Sequence, residues 1–171
     1  NWQDDFPTIT QKLDWCGLNY YTRKRIAPAP GPWPALCEVE GPLPKTAMGW
    51  EIYPQGLQDF LIRTAADYTG DLPLYVTENG MAAPDQMRGG DVDDPDRLSY
   101  LAAHLEALRA AQARGVRVKG YFVWSLLDNY EWSFGYEKRF GLVHVDFDTL
   151  ARTPKASYHA MALALRKDQN R

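Results

Sequence analysis

The stretch Val118 to Trp124 constrains this chain more than any other. It is apolar at nearly every position, so a strand built from it buries both faces, as strands inside a parallel sheet do. The residues before it have the opposite character. Leu98, Leu101, Leu105 and Leu108 recur at helical spacing, Asp94 and Pro95 stand where an N-cap and a first helical residue belong, and Gly115 ends the run. Strand, loop and helix follow one another about three times along the chain, the rhythm of an α/β protein with parallel strands.

The other elements fit that rhythm. Trp15 to Tyr21 reads as a first strand. Leu57, Phe60, Leu61, Ala65 and Tyr68 form one helical stripe stopped by Gly70. Leu74 to Val76 is a short strand running into Thr77-Glu78-Asn79-Gly80, Gly141 to Phe147 is an extended segment, and Lys155 to Arg166 is a last helix. Six of the twelve prolines (Pro28, Pro30, Pro32, Pro34, Pro42, Pro44) fall between the first strand and the first helix. That region reads as a long functional loop, neither helix nor central strand. The 171 residues form a single segment. Three such units make an open sheet with two unpaired edges, less than half of a closed eight-stranded βα barrel of about 250 residues.

Charge and composition exclude several classes. The net charge of −3 offers nothing to nucleic acid or anionic membrane. Gly120 to Leu127 is the longest uncharged apolar run and is far below the ~18 residues of a membrane span. Cys16 and Cys37 lie apart with no His–Cys cluster, so no metal site is expected, and reduced thiols in a cytoplasmic setting are. Without a G-x-G-x-x-G or P-loop pattern, no nucleotide cofactor is expected, and no other cofactor is called for. His104, His144 and His159 have neither metal-ligand spacing nor a Ser or Cys partner, and read as structural.

Glu78 is the sharpest chemical candidate, because it directly follows an apolar strand and catalytic groups of parallel α/β folds gather at the carboxyl ends of strands. Position alone more often describes a solvated acid at a loop start, capping a turn through Asn79-Gly80. A second cluster, Trp124 to Trp132, sets two indoles beside Asp128 and Glu131 after another apolar strand. Carboxylates grip vicinal hydroxyls and indoles cover the apolar face of a sugar ring, so the pattern fits a neutral polyol; the alternative is core tryptophans with a surface acid. Asn19 and Tyr21 sit at the end of the first strand with i, i+2 spacing, and so face one way. A tyrosine hydroxyl there can donate to Glu78, although tyrosines at strand ends more often simply pack.

Five segments, in order, resemble family-1 glycoside hydrolases, the retaining β-glucosidase family. They are Leu13 to Tyr21 (LDWCGLNYY), Gly49 to Leu57 (GWEIYPQGL), Tyr75 to Gly80 (YVTENG), Gly120 to Trp132 (GYFVWSLLDNYEW) and Arg139 to Leu142 (RFGL). The resemblance covers nearly the whole chain. It implies the C-terminal part of a (β/α)8 TIM barrel, strands six to eight with their helices. It makes Glu78 the match of the catalytic nucleophile and Tyr21 the match of the tyrosine supporting it, with Asn19 beside them. Trp124, Glu131, Trp132 and Phe140 match residues around the non-reducing sugar, and Trp50 matches an aromatic of the aglycone side.

The family's acid/base lies in an Asn-Glu-Pro motif that is absent from this sequence. The resemblance therefore implies a fragment, inactive alone, whose acid/base comes from the N-terminal part of the same barrel, on the same gene or a second chain. The expected function is retaining hydrolysis of neutral terminal β-D-glycosides such as a β-glucoside or short β-linked oligosaccharide. The alternative is a non-catalytic carbohydrate-binding or structural module that keeps the acid–aromatic mouth.

Overall fold

The computed structural model describes residues 2–168. After a single helical turn, α1 (Phe6–Ile9), the chain enters β1 (Cys16–Asn19). A hairpin follows, β2 (Arg25–Pro28) and β3 (Leu36–Val39), then α2 (Pro54–Thr64), β4 (Leu74–Asn79), α3 (Pro95–Ala113) and β5 (Val118–Val123). The C-terminal part holds β6 (Val143–Val145), β7 (Arg152–Pro154) and α4 (Ala156–Asp168). Strands β1, β4 and β5 form one parallel sheet with β4 in the centre. The parallel α/β reading of the sequence therefore holds for these three strands.

Helices α2 and α3 pack on each other and cover one face of the sheet. Leu74 and Val76 point into that layer and meet Leu18, Leu57, Leu61, Leu108 and Ala111. The neighbouring residues of β4, Tyr75 and Thr77, point the other way, as strand alternation requires. There they lie with Trp15 and Phe122 around an open depression of roughly 460 Å³. Phe122 is 56% exposed and Trp15 is 53% exposed. The expectation that β5 is buried on both faces is thus corrected, because no layer among the described residues covers this second face. Gly17 and Gly120 let the two β4 side chains lie flat on it: a Cβ would come within 2.9 Å of Thr77 at Gly17 and 2.5 Å of Tyr75 at Gly120.

The proline-rich region is not a structureless loop. Ile26 pairs with Glu38 and Ala27 with Cys37 in the antiparallel β2–β3 hairpin, and Pro30, Pro32 and Pro34 occupy its turn. A two-stranded hairpin away from the main sheet tolerates prolines that a central strand does not. It is tied down at its base by Glu51, which is buried and accepts hydrogen bonds from Arg23 Nε at 2.7 Å and the Leu43 amide at 2.9 Å.

The helices begin and end where expected, but two of their faces are rotated. In α3 the buried side chains are Arg97, Tyr100, Leu101, His104, Ala107, Leu108 and Ala111, while Leu98 and Leu105 are only half-buried. In α2 the buried residues are Leu57, Leu61 and Thr64, and Phe60 and Tyr68 are exposed. A wide π turn over Ala65–Thr69 precedes Gly70, which closes it by donating to the Ala65 carbonyl, and the change of pitch turns Tyr68 outward. Asp94 stands at the N-cap position of α3, yet its carboxylate makes no bond there. It accepts instead from the amide and hydroxyl of Ser157 at 2.9 and 2.6 Å, so it caps α4.

Candidate active site

The site is built where the three parallel strands end. Asn19 is the register partner of Glu78, and the Tyr20 amide donates to the Glu78 carbonyl at 2.9 Å. This places Tyr21, just past β1, over the Glu78 side chain, and its hydroxyl donates to Glu78 Oε2 at 2.6 Å. Burial, then the Glu78 carboxylate, push the Tyr21 phenol well above its ordinary range. It therefore remains protonated and acts as a donor. Asn19 reaches the same mouth, but its Oδ1 accepts from Thr77 Oγ1 at 2.7 Å.

Three aromatic rings wall the mouth. Tyr21 lies 5.5 Å from Trp50 and 6.1 Å from Phe140 between ring centroids, and Trp50 lies 6.2 Å from Phe140. These separations fall in the range of favourable edge and tilted packing. Trp124 continues from β5, donating its amide to the Asn79 carbonyl at 2.9 Å, and its ring is half-buried. Gly80 must lack a side chain because a Cβ would sit 1.8 Å from the Trp124 carbonyl oxygen. Glu131 is half-buried in the loop beyond Trp124, and burial followed by the negative charge of Glu78 raises its pKa. Trp132 is 82% exposed and presents its indole to solvent.

Two parts of the site escape sequence reasoning. Asn79 is completely buried; its Nδ2 donates to the Tyr20 carbonyl at 2.7 Å and to the Tyr100 hydroxyl at 3.0 Å. Its Oδ1 accepts from Tyr121 Oη at 2.6 Å. One amide thus ties β4 to β5, to α3 and to the end of β1 immediately beside Glu78 and Tyr21. The other correction concerns Asp128. Its side chain is fully buried, and it accepts from Lys155 Nζ at 2.9 Å, Arg139 Nη1 at 2.6 Å and the Gly141 amide at 2.9 Å. So engaged, it is no sugar ligand. Its partners lie 11 to 27 residues away in sequence, and no local pattern announces them.

Fold and site together define an α/β protein of the βα-repeat class, with a carboxylate held by a phenol at an aromatic strand mouth. The chain belongs to Glycosyl hydrolase family 1, whose model matches residues 2–168. It is 47% identical over 158 residues to a 1,4-β-D-glucan glucohydrolase of Thermotoga neapolitana, covering 92% of this chain and 35% of that protein. It is 48% identical over 115 residues to a 6-phospho-β-galactosidase of Streptococcus equi subsp. zooepidemicus, covering 67% of this chain and 24% of that one. Its structure superposes with a TM-score of 0.92 and 43% identity on a family 1 β-glucosidase from Thermotoga maritima in complex with isofagomine lactam, over 97% of this chain and 37% of that chain. The chain spans little more than a third of the length of the Thermotoga relatives, and so carries part of their TIM-barrel fold.

Proposed function

We propose that this chain is the C-terminal portion of a retaining β-glucosidase, carrying strands six to eight of the barrel and the nucleophile Glu78. The observation that carries the reading is the 2.6 Å hydrogen bond from Tyr21 to Glu78 at the carboxyl ends of the parallel strands. A Glu78 oxygen attacks the anomeric carbon, the glycosidic C–O bond breaks, and a glycosyl ester forms on the enzyme. A second carboxylic acid protonates the departing oxygen, then takes a proton from the water that hydrolyses the ester. Such a pair stands about 5–5.5 Å apart. The Asn-Glu-Pro motif that carries the family's acid/base is absent from this sequence, so in this reading the second acid comes from the N-terminal part of the barrel.

Glu131 and Trp132, with Trp124 and Phe140, bind the non-reducing sugar, while Trp50 lies toward the aglycone. A carboxylate beside the sugar's outer hydroxyls favours neutral glycosides, because it repels a 6-phosphate. The test is a 2-fluoroglucoside with a good leaving group, applied to this chain joined with its N-terminal part. Covalent label on Glu78, located by peptide mass mapping, is the expected result; label on any other residue overturns the assignment. Calorimetric binding of glucose without label or turnover supports a non-catalytic carbohydrate-binding module instead.

A further inference from the structure

Beneath the loop that carries Glu131 and Trp132 lies a cluster of three acids and three bases: Asp85, Asp94, Asp128, Arg97, Arg139 and Lys155. Lys155 Nζ bridges Asp128 at 2.9 Å and Asp85 at 2.5 Å, and Arg97 bridges Asp85 at 2.7 Å and Asp94 at 2.5 Å. The charges cancel, and all these side chains are buried except that of Arg139, which is 21% exposed at the rim. Buried ions in such a set are held by one another, since each alone carries a large desolvation penalty.

Asp128 is where this cluster meets the site. Oδ1 accepts from Lys155 and from the Gly141 amide, and Oδ2 accepts from Arg139 and, at 3.3 Å, from the Val145 amide. Asp128 begins the loop and Gly141 ends it, so one carboxylate clasps both ends. Gly141 has no room for a side chain there: a Cβ would lie 2.2 Å from the Asp128 nitrogen. Arg97 adds a second hold on the returning segment, donating to the Arg139 carbonyl at 2.9 Å. Between the clasped ends lie Glu131, Trp132 and Phe140. Glu78 and Tyr21 are held by β4, β1 and Asn79 instead, a separate set of bonds.

We infer that Asp128 is a positioning residue for sugar recognition, whose clasp on both ends of its loop sets where Glu131, Trp132 and Phe140 meet the non-reducing sugar. The inference rests on the glycosidase reading above. It separates binding from chemistry: loosening the clasp displaces the sugar-contacting loop and leaves the nucleophile in place.

The experiment uses the barrel completed by its N-terminal part and follows inactivation by the 2-fluoroglucoside at a series of concentrations, giving Ki and the limiting rate. The double variant Asp128→Asn with Lys155→Met removes one charge of each sign. The single variant Arg139→Met removes one donor at the rim and decides the matter if the double variant does not fold. Either variant is expected to raise Ki, by about ten- to a hundred-fold in the double variant if the bond from the sugar to the Glu131 carboxylate is lost, with a nearly unchanged limiting rate in the molecules that react. A role confined to stability lowers the fraction labelled and leaves Ki as in the parent, which overturns the inference while the glycosidase reading stands. Failure of the parent enzyme to label at Glu78 overturns both.

Discussion

The hydroxyl of Tyr21 donates to Oε2 of Glu78 at 2.6 Å across 57 residues of sequence. Parallel pairing of β1 with β4 makes this contact, because it brings the two strand ends level at the mouth. Removing the donor tests its chemical worth. In the completed barrel, Tyr21→Phe is expected to lower kcat/KM about ten- to a hundred-fold, the equivalent of the roughly 1.5–3 kcal/mol of a hydrogen bond to a charged group. Steady-state kinetics on an aryl glucoside measure it, and an unchanged rate removes Tyr21 from the mechanism.

Glu131 is expected to trade stability for binding. Burial and the charge of Glu78 raise its pKa in the folded protein. A carboxyl with a raised folded pKa binds its proton more tightly folded than unfolded, so its contribution to stability falls as pH rises through that range. Glu131→Gln should therefore raise Tm near neutral pH and leave it unchanged in acid, where both forms are uncharged. The same variant, like Glu131→Ala, should lower kcat/KM by orders of magnitude while the fold survives. Thermal melts across pH beside the kinetics check both halves.

His104 gives the fold an acid-sensitive point. Its ring is fully buried, stacked on Tyr100 at 3.9 Å, with Nδ1 donating to the Tyr100 carbonyl at 2.8 Å. Burial lowers its pKa from 6.5 to about 4. The unfolded chain takes up a proton that the folded one refuses, so this contribution is full above 6.5 and is lost as pH falls toward about 4. The shift corresponds to roughly 3 kcal/mol. Denaturant titrations at neutral and mildly acid pH should show a smaller acid loss in His104→Phe than in the parent.

Asn79 should matter to stability as much as to geometry. Asn79→Ala leaves the Tyr121 hydroxyl and the Tyr20 carbonyl without this partner in the interior, while the Tyr100 hydroxyl keeps its bond to the Tyr21 carbonyl at 3.3 Å. Each unsatisfied group costs about 1–3 kcal/mol. Denaturant unfolding of the completed barrel should show a loss of at least about 2 kcal/mol. A loss under ~1 kcal/mol would mean that water or rearrangement replaces the amide.

Taken alone, the chain should associate. Among the described residues, strands β1 and β5 each pair on one side only, leaving rows of N–H and C=O groups open to another strand, and the face of Trp15, Tyr75 and Phe122 stays open. Re-covering that surface is worth about 25 cal/mol per Å² of apolar area. Light scattering should report oligomers or aggregates, and turnover should be negligible until the N-terminal part is added. A monodisperse monomer contradicts the first expectation, and turnover at an intact enzyme's rate contradicts the second.

Sequence and tertiary structure contributed different things here. Strand and helix positions, the parallel class and the candidacy of Glu78 are legible in the sequence because they depend on short-range periodicity and on a residue's place at the end of a strand. The hairpin Arg25–Val39 is not, because its prolines signal a loop as strongly as they signal a tolerated two-stranded ribbon. The buried side of α3 is not either: leucine spacing marks Leu98 and Leu105, while packing against β4 and the Arg97 ion pairs select a face rotated from it. Asp128 beside Glu131 is the sharpest case. Both are acids in one loop, equally suited by type and spacing to grip a sugar. Only the chain's path brings Lys155, Arg139 and the Gly141 amide around Asp128 and leaves Glu131 half-buried in the same loop. Local sequence determines which groups are present and which segments can be strands or helices; long-range contacts decide which carboxylate is buried among bases and which stays partly open to solvent, because a buried charge must find its partners wherever the fold supplies them.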